Sequence, residues 1–191
     1  MAGKQAKILS DNSYKDLLTF AATTRYPVRN RLIVLLSLKA GLRAGEIAKL
    51  TWEMVLDPNG AIAAAVELRD WAAKKGSGRL IPVHPELREA LMAWQDLSGS
   101  VSSVVSSERG GPMTPVSIVN WFANAYLAIG ATGCSSHSGR RTFITRAARL
   151  VHKAGGSLRD VQLLAGHRSI QTTQRYIDGD SDAQRKLVAM I

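Results

Sequence analysis

Leu164-Ala-Gly-His167-Arg-Ser-Ile-Gln-Thr-Thr-Gln-Arg-Tyr176 is the stretch on which the reading of this chain turns. In an unbroken helix the nine steps from His167 to Tyr176, at about 100° each, would put the two rings on opposite faces. Gly166 and Ser169 supply a break: a glycine to end one helix and a good N-cap for the next. With that break both rings can face one site. A tyrosine in a helix is ordinarily half-buried packing, so Tyr176 gains meaning only from what stands upstream.

Two further segments stand there. Ala40-Gly-Leu-Arg43-Ala-Gly-Glu46-Ile places an arginine just after a helix-breaking glycine, with a carboxylate three positions on and on the same face. His137-Ser-Gly-Arg140-Arg places a histidine and an arginine three apart at a helix start, where side chains and the N-terminal dipole can converge on one phosphate. Alone, the first pair reads as a solvated surface bridge and the second as a polar first turn. Together, two arginines, two histidines and a tyrosine are a set that can attack a phosphodiester without a metal ion. No His/Asp/Glu cluster with metal spacing stands in the sequence.

Charge supports an anionic partner. The chain of 191 residues carries a formal net charge of +10 and a pI of about 10.2, a balance that favours nucleic acid. Between His137 and Tyr176 stand eight Arg or Lys against the single acid Asp160, and most are arginine, the better bidentate phosphate ligand. The longest apolar run, Leu32–Leu36, is far short of the ~20 residues of a membrane span. The N-terminus lacks the apolar stretch of a signal peptide. A single cysteine, Cys134, cannot form an internal disulfide and agrees with a reducing compartment. The expectation is a cytoplasmic protein.

Apolar spacing predicts helices over 11–22, 28–40 and 43–50, the first capped by Asp11 or Ser13. The turn Asp57-Pro-Asn-Gly60 separates expected short strands Trp52–Leu56 and Ile62–Leu68, with a third at Arg79–Val83. Lys74-Lys-Gly-Ser-Gly78 reads as a basic hairpin tip. Helices follow over 85–97 and from Thr114 or Pro115 to about 129, then over 138–151, 157–165, 169–177 and 182–190. The fold class is mainly α with a small antiparallel β-sheet. Trp52, Trp71, Trp94 and Trp121 read as core or rim residues before base-stacking platforms.

In order and spacing these pieces resemble the tyrosine recombinase, or phage integrase, family over nearly all of its catalytic domain. The matched motifs are Gly-Leu-Arg43-x-x-Glu46-Ile, the hairpin lysine before Arg-Leu-Ile-Pro, His137-x-x-Arg140, and Gly-His167 with its spacing to Tyr176. The resemblance implies the tyrosine recombinase catalytic-domain fold and a site-specific DNA recombinase. Tyr176 would attack a DNA phosphate and form a 3′-phosphotyrosyl bond, with no metal, ATP or other cofactor. Arg43 and Arg140 would hold the non-bridging oxygens. His137 would be the general acid/base, His167 a phosphate ligand, and Lys74 the proton donor to the leaving 5′-oxygen. Lys75 competes with Lys74, which is preferred for its distance to Pro82. Glu46 would hold Arg43. Lys75, Arg79, Arg141 and Arg168 are candidates for DNA contact. Two positions depart from the family's habit: Gly139 before the second arginine, where a bulky apolar residue is common, and Ala165 before Gly-His, where leucine is.

The expected partners are double-stranded DNA and further copies of the chain, as a tetramer on DNA, with accessory DNA-bending proteins in some systems of the family. The expected organisation is one catalytic domain over 1–191, without a separate N-terminal DNA-binding domain. That suits a natural one-domain recombinase, as the fimbrial phase-variation invertases are, or a fragment of a longer integrase. Residues 178–191 would form a tail helix that links protomers. Two rival readings remain: a non-catalytic regulator using 158–176 as a helix-turn-helix, and topoisomerase-like relaxation on the same chemistry.

Overall fold

The computed structural model describes residues 6–98, 102–176, 185 and 188–191. The chain divides into two compact units, Met1–Phe143 and Ile144–Ile191.

The first unit is organised around a helix that is apolar on every side. After α1 (Asp11–Ala22), α2 (Pro27–Lys39) begins on Pro27, whose missing N–H is no loss in a first helical turn. Leu32, Ile33, Val34, Leu35 and Leu36 have no exposed surface at all. A helix buried on all faces must lie in the middle of its neighbours, and α2 packs against α1, α3 (Ala44–Lys49) and α4 (Pro85–Ser98). The N-cap of α1 is Ser10, whose hydroxyl accepts the Ser13 N–H at 3.1 Å; Asp11 and Ser13, the expected caps, lie inside the first turn. α5 (Pro115–Ala128), capped by Thr114, packs on α1 and α3. Trp94 of α4 is buried and donates its indole N–H to the Val104 carbonyl at 2.6 Å, which fixes the loop after that helix.

The sheet is smaller than the sequence suggests. β1 (Ala65–Leu68) and β2 (Arg79–Pro82) pair antiparallel, Ala65 opposite Pro82 and Leu68 opposite Arg79. Val66, Leu68 and Ile81 point into the core with the two-residue period of a half-buried sheet. Trp52–Met54, expected as strand, forms one 3-10 turn instead. Its continuation meets the second segment only through a bridge between Leu56 and Ile62. Asp57 explains this: its carboxylate accepts the N–H groups of Asn59 and Ala61 at 2.9 and 3.0 Å, so a side chain replaces the ladder at the turn.

The link between α2 and α3 sets the position of Arg43. Gly41 is left-handed at φ +63°, and the next N–H, from Leu42, returns to the Leu36 carbonyl at 3.1 Å. A Cβ on Gly41 would overlap the ring of Phe143. α6 (Ser138–Leu150) contains the boundary between the units.

In the second unit, α7 (Leu158–Ala165) has Ser157 as its N-cap, whose N–H donates to the Asp160 carboxylate at 2.7 Å, and it ends at left-handed Gly166. α8 (Ile170–Gln174) follows. Among the described residues, Ile144, Ala148, Val151, Val161 and Ala165 are the buried apolar residues of this unit. The tail helix expected over 182–190 falls mostly outside the described residues; Val188, Met190 and Ile191 are exposed. No helix among the described residues is long and apolar enough to cross a membrane.

Gly41→Ala is expected to cost at least about 2 kcal/mol, from left-handed strain plus overlap with Phe143. The measurement is a urea titration, in which the midpoint falls while the slope stays constant. An unchanged midpoint would show that this turn is not constrained.

Candidate active site

Arg43 is the N-cap residue of α3, and Glu46 is in that helix's first turn. The Glu46 carboxylate accepts the Arg43 backbone N–H at 3.1 Å and its Nη1 at 2.5 Å. It also accepts Nη2 of Arg79, at the start of β2, at 3.0 Å. Glu46 is 1% exposed, so this is no surface bridge. An exposed pair contributes about 0–1 kcal/mol, whereas removing one partner of a buried one costs about 3–5 kcal/mol. Burial alone would raise the Glu46 pKa. The Arg79 hydrogen bond and charge, then the Arg43 charge, outweigh it and bring the carboxyl from 4.5 down to about 2. Arg79, expected among the DNA contacts, has a side chain only 4% exposed and stands behind Arg43 as its second support.

Arg43 and Glu46 line an open pocket of about 380 Å³ together with Lys49, Lys74, Ser136 and His137. Lys74 comes from the loop joining β1 to β2. That loop is closed on itself, because Gly78 N–H donates to the Asp70 carboxylate and the Ser77 hydroxyl to the Lys74 carbonyl, both at 2.8 Å. The next residue, Lys75, sits at φ +61° and is exposed. Of the two competing lysines, the pocket wall holds Lys74.

His137 lies just before α6. Partial burial lowers its pKa below 6.5, and the charges of Lys74, Arg43 and Arg140 lower it further. The ring is therefore neutral at pH 7. Arg140, one turn into α6, is 3% exposed and donates from Nη1 to the Gly41 carbonyl at 2.7 Å. The second arginine is thus anchored to the very turn that presents the first. Gly139 lets this happen: a Cβ there would overlap the Ser37 hydroxyl of α2, so the bulky residue common in the family has no room. Arg141, expected to face DNA, instead donates from Nη1 to the Ala6 carbonyl at 2.9 Å and is partly buried.

The second unit carries the other pair. Gly166 at φ +62° breaks the helix, and the His167 and Tyr176 rings stack with centroids 5.4 Å apart and planes inclined by 24°. The break expected from the sequence is present. Ser169 occupies the N-cap position, but its hydroxyl bonds the Gln171 side chain and not the helix backbone. Nδ1 of buried His167 shares a hydrogen bond of 2.9 Å with the Thr173 hydroxyl, and the Gln162 amide donates to the His167 carbonyl at 2.8 Å. The Thr145 hydroxyl donates to the Tyr176 carbonyl at 3.4 Å. Thr173 and Gln162 are positioning residues that the sequence did not announce, since both look like ordinary polar helix residues. Arg168 is exposed. Size and burial do not favour the helix-turn-helix alternative: α8 has five residues, and its Thr173 is fully buried against His167.

Comparison with known proteins agrees with this fold. The family model described as the phage integrase family matches residues 7–182. The tyrosine recombinase XerC of Erythrobacter litoralis (strain HTCC2594) is 32% identical over 176 residues, which cover 89% of this chain and 52% of that protein. The crystal structure of XerA recombinase superposes with a TM-score of 0.77 at 24% identity, covering 98% of this chain and 65% of that one. A lambda integrase tetramer bound to a Holliday junction gives 0.73 at 19% identity, covering 92% and 49%. The fold is that of a tyrosine recombinase catalytic domain. The chain belongs to the phage integrase family, and it spans about half the length of the curated relatives it matches.

Two outcomes follow from the site's electrostatics. Because the folded pKa of Glu46 lies below 4.5, its stabilisation is complete above that pH and is lost as pH falls toward about 2. Glu46→Gln should lower stability by about 3 kcal/mol at pH 7 and flatten the acid limb, measured by urea titrations across that range. Secondly, Lys74→Met should raise the His137 pKa toward its ordinary value, while Lys75→Met leaves it in place; imidazole NMR titration distinguishes the two.

Proposed function

We propose that the protein is a site-specific DNA recombinase that cuts and rejoins strands through Tyr176. The observation that carries this reading is the pocket in which Arg43, Lys74 and His137 stand together. Family membership and the His167–Tyr176 pair support it.

In this reading the Tyr176 phenolic oxygen attacks the scissile phosphorus, and the bond from phosphorus to the 5′-oxygen breaks. The phenol's proton passes to His137, whose lowered pKa leaves the ring neutral and able to accept it. Lys74 gives a proton to the departing 5′-oxygen. Arg43 and Arg140 bear on the non-bridging oxygens and offset the charge that builds there, and His167 adds a hydrogen bond through its ring. The phosphotyrosyl bond conserves the energy of the broken linkage. A 5′-hydroxyl from another strand can therefore attack it in turn, releasing Tyr176 without ATP.

Double-stranded DNA is the proposed substrate, and a tetramer of this chain the proposed assembly, as lambda integrase forms on a Holliday junction. The tail after Tyr176 would link protomers. The basic balance of +10 implies binding that weakens steeply with salt. Arg168 and Lys75, both exposed, would contribute to it.

The test uses a duplex selected from a randomised pool by Tyr176→Phe protein, then nicked beside the cleavage point so that the cut strand diffuses away. Wild type should give a covalent protein–DNA band, and Tyr176→Phe should bind equally and give none. Binding without a covalent species from the wild type would leave only a DNA-binding protein.

A further inference from the structure

Four tryptophans punctuate the chain, and the structure separates them. Trp94 is buried. Trp52 is half-buried against the core, and so is Trp121, which is edge-on to Phe122 with centroids 5.2 Å apart. Trp71 is 56% exposed, although a ring of that size gains about 2–3 kcal/mol by burial. The loop that presents it is well fixed. Beside the two closures around Gly78 and Ser77, Arg69 bridges Glu53 at 3.1 Å and its carbonyl accepts the N–H groups of Ala72 and Ala73. The next two residues, Ala72 and Ala73, are buried and form part of the pocket wall, and Lys74 completes it. Lys49, on the same wall, donates from Nζ to the Trp71 carbonyl at 3.4 Å. An exposed indole held three residues from a pocket lysine by an ordered loop is a preset apolar surface beside that pocket.

We infer that Trp71 is a positioning residue for DNA: it packs its indole face on the nucleoside that carries the leaving 5′-oxygen, next to Lys74. This rests on the recombinase reading above. A nucleoside that unstacks at the cleavage point offers a free base face whatever its identity, so the contact requires no particular sequence, and loss of one such contact weakens binding by about tenfold. Once the strand is cut, the same contact would hold the freed 5′-hydroxyl end near Lys74 for religation.

The test uses the full chain and the selected duplex, intact and with single abasic sites on either side of the cleavage point. Trp71→Ala should melt with wild type, because the ring is exposed, yet bind and cleave about tenfold less well, and Trp71→Phe should recover most of the loss. An abasic site on the 5′-hydroxyl side should remove most of the difference between wild type and Trp71→Ala, and one on the phosphotyrosyl side should leave it intact. If wild type cleaves normally while Trp71→Ala binds and cleaves within twofold of it, the inference is overturned and the recombinase reading stands. The same holds if the abasic site on the 5′-hydroxyl side leaves the difference unchanged. If wild type gives no covalent species, the recombinase reading falls and the assignment of Trp71 falls with it.

Discussion

A carboxylate with 1% exposure, held between two guanidiniums from different elements, is the interaction on which the first unit's site depends. Glu46 cannot stay ionised in that position without both partners, and neither arginine can leave without stranding a buried charge. The consequence is rigidity at Arg43. Its backbone is the cap of α3, its guanidinium is clamped from one side, and Arg79 holds the clamp from β2. The hairpin that carries Lys74 is thereby tied to the helix that carries Arg43, since β2 starts on the residue that completes the clamp.

A second constraint brings Arg140 into the same frame. Its guanidinium donates to the carbonyl of Gly41, the residue whose left-handed turn aims Arg43. Sequence separation here is close to a hundred residues, and a single hydrogen bond joins the two motifs. Close approach of α6 to α2 is what permits it, and Gly139 over Ser37 is the point of contact. The departure from the family's habit at Gly139 is an accommodation to local packing.

The candidate reacting groups could be picked out in the sequence because the proposed chemistry demands particular residue types at particular spacings. Helices were legible because α1 and α4 carry apolar periodicity, α2 is a run of apolar residues opened by Pro27, and Thr114 and Pro115 mark the start of α5. What escaped was set by tertiary partners. Arg79 looked like one more basic residue on a basic hairpin, and only the depth of Glu46 shows which way it faces. Arg141 was lost to the Ala6 carbonyl in the same manner. Trp52–Met54 has strand-like composition, yet the Asp57 side chain takes the N–H groups that a longer hairpin would have used. Thr173 carries no signal at all until the turn at Gly166 brings it under His167.

The crowding of positive charge around His137 has a direction. Burial lowers its pKa most, and the charges of Lys74, Arg43 and Arg140 lower it further, so in the unliganded protein the ring begins as a base of reduced strength. An anionic phosphate entering the pocket would offset those same charges, and the part of the depression that they cause would be relieved. Attack on that phosphate concentrates further negative charge on its oxygens. Under the recombinase reading, His137 would be strongest as a base when the phenol must lose its proton and weaker when the pocket holds no DNA. The arginines then do two things at once: they attract the phosphate, and by their neutralisation they let the neighbouring imidazole accept a proton.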